Sequence, residues 1–301
     1  MRRLSCLLVL AVLGFGYAQS FPVTVTDRYG DVTLARPPER IVVLTDELAE
    51  IVVALGIEPV GVSSTRFAFG LGDKAVGAGH LSPALDRATF VGGAEPSLEA
   101  IAALAPDLIV APADNGGVHA QLSEVAPTLA FSLDRAGDWR GVMRTLARST
   151  GRATAADAFM TRFEREVAAV RGRVADVAAA HPEVNVIYPQ YRGGEEHFVF
   201  DETFGLSGNL SALGFNVVVP EGVETAQGFA SLSAEAFGRL DADTVLSVGV
   251  GERRDNAVNR LLDATGANLA YVDIGLGRPP QGPLSDLFYM ERFATAIRAL
   301  Y

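Results

Sequence analysis

TAADAFMTRFEREVAAVRGRVADVAAA, residues Thr154–Ala180, is the longest helical pattern in this 301-residue chain. Phe159, Phe163, Val167, Val170, Val174 and Val177 recur by fours and threes, which lines them along one side of an α-helix. At 1.5 Å of rise per residue such a helix runs roughly 35–40 Å, the width of a lobe. His181-Pro182 ends it, because the residue before a proline is pushed out of the helical region. The stripe fits a core helix of an ordinary domain as well, but its place in mid-chain favours a connector between two lobes.

On the N-terminal side, short alternating segments around Tyr29-Gly30-Asp31 read as a hairpin, followed by Arg36-Pro37-Pro38-Glu39-Arg40. Ile41-Val42-Val43-Leu44 is then a continuous apolar strand. Glu47 to Leu55 has helical periodicity closed by Gly56, and Val60-Gly61-Val62 is a second strand. A helix from Leu98 to Leu104 precedes the strand Leu108-Ile109-Val110-Ala111. This alternation predicts a parallel sheet covered on both faces. After residue 182 it restarts, with strands at Val184–Tyr188, His197–Phe200 and Val217–Val219 and a helix at Leu206–Leu213 stopped by Gly214. The expected fold class is α/β, with two Rossmann-like lobes joined by one long α-helix and a ligand cleft between them. The expected divisions are a leader over 1–18, an N-terminal lobe over 19–153, the connecting helix over 154–181 and a C-terminal lobe over 182–301.

An internal repeat relates the halves. Ser97-Leu98-Glu99-Ala100-Ile101 with Leu104, Asp107 and Ile109-Val110 is echoed by Ser233-Ala234-Glu235-Ala236-Phe237 with Leu240, Asp243 and Val245-Leu246. In this frame serine can cap a helix, glutamate sits in its first turn, and aspartate precedes a buried strand. Leu55-Gly56-Ile57 is matched in the same order by Leu213-Gly214-Phe215.

The first residues pair Arg2-Arg3 with an apolar run from Leu7 to Leu13 and small residues at Gly16 and Ala18, the layout of a secretory signal peptide cut after Ala18. That run is shorter than the roughly 20 residues a membrane-spanning helix needs. Cys6, the single cysteine, precedes the apolar run, where a lipid anchor would need one after it, so the mature chain is expected to hold its fold without disulfides. Lysines and arginines number 25 against 36 acids, a net charge of −11, which makes nucleic acid and anionic membranes poor partners. Lys74 is the only lysine, so the basic residues are otherwise arginines.

With these residues in view, the chain resembles the periplasmic binding proteins of iron-siderophore, haem and vitamin B12 importers, whose two lobes are joined by one long rigid helix. The opening pattern of that family is carried by Val25-Thr26-Asp27, Tyr29-Gly30, Val32, Pro38-Glu39-Arg40-Ile41-Val42-Val43, Ala54-Leu55-Gly56-Ile57 and Pro59-Val60-Gly61-Val62. The middle pattern is carried by Val91-Gly92-Gly93, Pro96-Ser97-Leu98-Glu99-Ala100-Ile101, Leu104, Pro106-Asp107-Leu108-Ile109-Val110-Ala111 and Ala126-Pro127. The resemblance covers essentially the whole mature chain. It implies a monomeric, periplasmic, non-enzymatic solute-binding component of an ABC importer, which captures a ferric siderophore and delivers it to an inner-membrane permease dimer. Haem or cobalamin cargo, or a solute-sensing receptor subunit, are the alternatives. It also implies that Glu99 and Glu235 pair with arginines of the permease; taken alone, both are explained by the preference for acids in a first helical turn.

Ligands of doubly wound sheets bind outside the carboxyl ends of the strands. The loops expected there are Thr45–Glu47, Ser63–Phe69, Asp114–Gly117, Gln190–Gly194, Gly249–Arg254 and Gly275–Arg278. They carry arginines and aromatics, and a ferric siderophore, often anionic and apolar at its rim, calls for guanidinium forks and aromatic faces. The expected ligand-binding residues are therefore Arg66, Phe67, Phe69, Tyr191, Arg192, Arg253, Arg254 and Arg278. Iron would travel inside the siderophore, so no protein cofactor or metal ligand is expected. His80, His119, His181 and His197 lack ligand spacing, although Tyr191 and His197 are conceivable haem ligands. Trp139, the only tryptophan, falls on a helix away from these loops, which suits cobalamin poorly. Neither a Gly-x-Ser-x-Gly elbow, a His-Glu-x-x-His pair nor a phosphate loop occurs. A single helical connector resists bending more than extended strands would, so lobe movement should be small.

Overall fold

The computed structural model describes residues 20–63, 85, 87–93, 95–114, 116–133, 138–189, 197–249, 257–274 and 282–301. The leader expected over 1–18 lies outside these residues. The chain enters through an antiparallel hairpin, β1 (Val23–Asp27) and β2 (Gly30–Leu34). Its turn is set by Asp27, whose carboxylate accepts the Tyr29 N–H at 2.7 Å, and by Gly30 at a φ of 129° that a side chain would strain.

The first sheet is wholly parallel. Its strands are β3 (Ile41–Val43), β4 (Gly61–Val62), β5 (Thr89–Phe90), β6 (Leu108–Pro112) and β7 (Thr128–Phe131), in the order β5-β4-β3-β6-β7. Helices α1 (Asp46–Ala54), α2 (Leu98–Ala103), α3 (Gly116–Val125) and α4 (Trp139–Ser149) belong to the same half of the chain. Next comes α5 (Ala153–Ala180), 28 residues long. The second sheet contains β8 (Glu183–Tyr188), β9 (His197–Phe200), β10 (Asn216–Val217), β11 (Phe229–Leu232), β12 (Thr244–Gly249) and β13 (Leu269–Asp273). Its order is β11-β9-β8-β12-β13, with β10 pairing the start of β8. Strands β8, β10, β12 and β13 are parallel, and β9 runs against its neighbours β8 and β11. Helices α6 (Gly205–Leu213), α7 (Ala257–Thr265) and α8 (Pro283–Arg298), and a 3₁₀ helix over Ala234–Arg239, complete this half.

Strand side chains alternate between two faces, and the alternation divides the apolar residues into three clusters. Val42, Leu44, Ile109 and Ala111 face α2 and α3, while Ile187, Val245 and Leu269 face the 3₁₀ helix and α7. The opposite faces of both sheets share one core. Val43, Val110 and Leu129 of the first sheet and Val186, Leu246 and Val272 of the second lie in the same cluster as the α5 stripe. Within that stripe Phe159, Phe163, Val170, Val174 and Val177 are buried, and Val167 is partly so. Helices α1 and α8 also touch across the two halves. The two sheets remain separate, as expected, and α5 is one member of a continuous apolar layer that they share. Burying each large side chain in it is worth about 1.5–3 kcal/mol.

The internal repeat acquires a structural meaning. Asp107 accepts the backbone N–H groups of Glu39 and Arg40, just ahead of β3, at 2.8–3.0 Å. Asp243 accepts the Glu183 N–H, the first residue of β8, at 3.0 Å. Each lobe thus ties the start of its first strand to the turn that leads into its neighbour. Leu104 packs so closely on β4 that a Cβ at Gly61 would lie 2.5 Å from its Cδ1, which accounts for the glycine.

One copy of the repeat departs from expectation. Ser97 caps α2 by accepting the Ala100 N–H, whereas Ser233 makes no such bond and the segment after it is 3₁₀. The Ser233 hydroxyl instead engages Glu235, and its carbonyl accepts the Ala236 N–H three residues on. Val217–Val219, read as a strand, forms only the two-residue β10.

Because the core is shared, Phe163→Ala should cost about 3–5 kcal/mol. Urea unfolding followed by Trp139 fluorescence and by far-UV circular dichroism should shift together in a single transition; two separated transitions would show that the lobes do not share a core.

Candidate ligand cleft and docking faces

Helix α1 starts directly after β3, with Thr45 capping it through the Leu48 N–H at 3.3 Å. Helix α8 starts after β13, with Pro283 in its first turn, where a missing N–H costs nothing. The two helix starts meet. Glu50 of α1 accepts the Leu284 and Ser285 N–H groups at 3.1 and 2.9 Å and the Ser285 hydroxyl. One lobe thereby caps a helix of the other. This contact joins the two halves of the chain at a common boundary.

The boundary is dry. Glu50 is fully buried, and burial pushes its carboxyl up to about 8, against the opposing pull of the Ser285 hydroxyl and N–H; the neighbouring Asp286 and Glu47 carboxylates push the same way. Asp286 accepts the indole N–H of Trp139 at 2.8 Å. Burial raises it to about 6, opposed by hydrogen bonds from Trp139 and Asn209 and by the Arg140 charge. Gly282 completes the fit, because a Cβ there would lie 2.5 Å from Glu50 Oε2. Trp139 is on a helix, as read, and its indole reaches the first turn of α8.

Arg66, Phe67, Phe69, Tyr191, Arg192, Arg253, Arg254 and Arg278 all lie outside the described residues. In the chain they follow β4, β8, β12 and β13, four strands with parallel partners. The described strand ends show which positions serve the frame. The buried Ser63 hydroxyl donates to the Gly93 carbonyl at 2.9 Å and leans on the Leu44 carbonyl at 3.3 Å. The hairpin tip reaches the end of β6, where Arg28 and the Tyr29 hydroxyl donate to the Ala113 carbonyl at 3.0 and 2.7 Å. Tyr271 lies with its ring 3.2 Å from where a Gly249 Cβ would stand. Its phenol is raised to about 12 by burial and by Asp273 and Tyr188. Tyr271 escaped the sequence reading because it lies within a strand; the signal for it is Gly249, over which its ring lies.

Glu99 and Glu235 are exposed, each in the first turn of the helical segment that precedes β6 or β12, the strands that pair with β3 and β8. Glu235 is held below the usual carboxylate range by its own backbone N–H and by the Ser233 hydroxyl. Both therefore present a carboxylate to solvent at matching places in the two lobes.

The sequence pattern of the periplasmic binding protein family matches residues 41–266. The chain belongs to that family. Among curated relatives, the Fe(3+) dicitrate-binding periplasmic protein FecB of Escherichia coli K12 is 38% identical over 113 residues, covering 37% of this chain and 36% of that one. The siderophore-binding lipoprotein YfiY of Bacillus subtilis, so described as probable, is 31% identical over 170 residues, covering 56% and 49%. The chain thus spans about a third to a half of the length of these relatives. The fold is that of siderophore-binding proteins of known structure. Staphylococcus aureus SirA complexed with staphyloferrin B superposes with a TM-score of 0.66 at 19% identity over 92% of this chain and 98% of that one. The FhuD protein of S. pseudintermedius gives 0.70 at 18% identity over 93% and 99%.

In this binding protein the described histidines stay apart. His119 stacks on Tyr29 at 3.8 Å, His181 on Tyr301 at 4.0 Å, and His197 is buried in β9 with Phe237 at 5.1 Å. The reading of His197 as a haem ligand is corrected by that burial on the outer face; His80 lies outside the described residues. Among the described residues no three His, Asp or Glu side chains converge as a metal site would require.

The buried acids fix the pH dependence of stability. Glu50 and Asp286 have folded pKa values above their unfolded ones, so the folded state binds more protons between roughly 4 and 8. Their contribution is fully present below the unfolded values and is lost as pH rises, for Asp286 through about 6 and for Glu50 through about 8. The melting temperature should fall by on the order of 5 °C from about pH 6 to about pH 8.5, and Glu50→Gln should flatten that part of the curve. A Glu50→Gln profile parallel to the wild type in calorimetric scans would remove Glu50 as the cause.

Proposed function

We propose that this chain is the solute-capturing component of an ABC importer, exported through a leader ending at Ala18, and that its cargo is a ferric complex of an anionic organic chelator. The observation that supports this most is the family match over residues 41–266 in a chain that folds around two separate α/β sheets. The cargo class follows from the relatives: FecB binds Fe(3+) dicitrate by name, and FepB of E. coli, 28% identical over 175 residues, binds ferric enterobactin. Among the described residues no helix is long and apolar enough to cross a membrane, which accords with work outside the bilayer.

On this reading the cleft holds an iron complex already wrapped by its chelator, and the protein contributes hydrogen bonds, cations and aromatic faces rather than metal ligands. Arg66, Phe67, Phe69, Tyr191, Arg192, Arg253, Arg254 and Arg278 are the proposed contacts. The protein acts as a monomer with no cofactor of its own and no catalytic step. Glu99 and Glu235 are the proposed contacts to a permease dimer. Exposed charges of this kind govern encounter and register more than affinity.

Two experiments test the proposal. Intrinsic-fluorescence titration of the mature protein against ferric citrate, ferric enterobactin, a ferric hydroxamate, haem and cobalamin should give saturable binding for one ferric complex; a preference for haem or cobalamin overturns the cargo. The double variant Glu99→Ala/Glu235→Ala should lower solute uptake by about tenfold or more, a loss of about 1.4 kcal/mol or more in coupling. Its solute affinity should stay within about twofold of wild type. Lost affinity with intact uptake would place the glutamates in the cleft.

A further inference from the structure

The cross-lobe contact at Glu50 does more than any packing requirement of α1 asks of it. A helix that buries Leu48, Ala49, Ile51 and Val52 could complete its core with an apolar residue at position 50. Instead it carries a fully buried carboxyl that accepts three donors from the start of α8, 235 residues away in sequence. The second link, from Trp139 of α4 to Asp286, joins the same two lobes one residue further along α8. Four elements thus meet at one point: α1 and α4 from the N-terminal half, α8 from the C-terminal half, and α6 through Asn209. The geometry is exacting, because hydrogen bonds tolerate a shift of only a few tenths of an ångström whereas apolar contact tolerates sliding. An apolar layer such as the one around α5 would let the sheets shear or rock; directional bonds to two successive backbone N–H groups fix both separation and angle.

We propose that Glu50, seated by Gly282 and seconded by the Trp139–Asp286 bond, is a positioning residue that sets the resting angle between the lobes and so the width of the cleft before solute arrives. The donors it satisfies are the first N–H groups of α8, which have no partner within their own helix. Lobe rotation large enough to break the contact would leave those groups and the carboxyl buried without partners, losing hydrogen bonds that water could not replace. The cleft is thereby preformed, and solute binding need not be spent on closing it. The consequence for solute rests on the reading of the chain as a binding protein; the lobe angle itself does not.

The lobe angle can be measured without any solute. Spin labels at Gln121→Cys on α3 and Leu261→Cys on α7, both exposed and on opposite lobes, in a Cys6→Ser background, report the interlobe distance by pulsed electron resonance. Wild type should give one narrow distribution. Glu50→Ala, which orphans the donors, and Gly282→Ala, which displaces the carboxyl, should each give one about twice as wide or more. Glu50→Gln, which keeps an acceptor for the N–H groups, should restore the narrow one. Dissociation of ferric citrate, used as the probe, should be about tenfold faster from the broadened variants. Should Glu50→Ala and Gly282→Ala fail to fold, Ser285→Ala with Trp139→Phe removes two of the bonds without adding bulk and should broaden the distribution less. A folded variant of either kind with the wild-type distribution overturns the inference. Absence of ferric citrate binding by the wild type would count against the cargo proposed above and leave the distances to decide this one.

Discussion

The buried seam along α5 is the constraint from which the rest of the architecture follows. One wholly parallel sheet and one mixed sheet with a parallel centre each need both faces covered, and in each the outer face is served by its own short helices. The inner faces have no private cover. They share α1, α4, α5, α6 and α8, so neither sheet can be completed without the other half of the chain. A 28-residue helix with one apolar stripe is the simplest element that can run past both.

Within this apolar seam the polar groups are few and concentrated where the helices begin. A helix start buried between lobes carries N–H groups that water does not reach. Glu50 answers that need from the opposite lobe, and Gly282 leaves room for it. Carboxylates of another kind, Asp107 and Asp243, hold the starts of β3 and β8 and staple each lobe to itself.

How much of this the sequence carried depended on whether a residue's partner was near it in the pattern. The α5 stripe was legible because spacing by fours and threes needs no partner to be recognised. The repeat was legible as a frame, and its aspartates turned out to hold the strand starts, a role that no spacing rule states. The difference between α2 and the 3₁₀ segment was not legible, since Ser97 and Ser233 open identical frames and only the competition for the Ser233 hydroxyl separates them. Glu50 was invisible for a stronger reason: an acid inside Asp46-Glu47-Leu48-Ala49-Glu50-Ile51 reads as solvent-facing, and the residues that bury it stand beyond position 281. Trp139 was assigned to a helix for the right reason, but its bond to Asp286 could not be read because that partner is equally remote. Glu99 and Glu235, the proposed permease contacts, were singled out through the repeat frame and the family resemblance, and both are exposed at matching places in that frame.

The pairing of positions 50 and 285 also has a consequence for the order in which the molecule is assembled. On a ribosome the N-terminal sheet and α1 emerge long before α8 does, and until those last residues are present Glu50 has no donors and the inner face of the first sheet has no full cover. Contacts of such long sequence separation form late, after the entropy of closing a very large loop has been met. A nascent chain of this design stays loosely packed until its synthesis is nearly done, a property that suits the export proposed above.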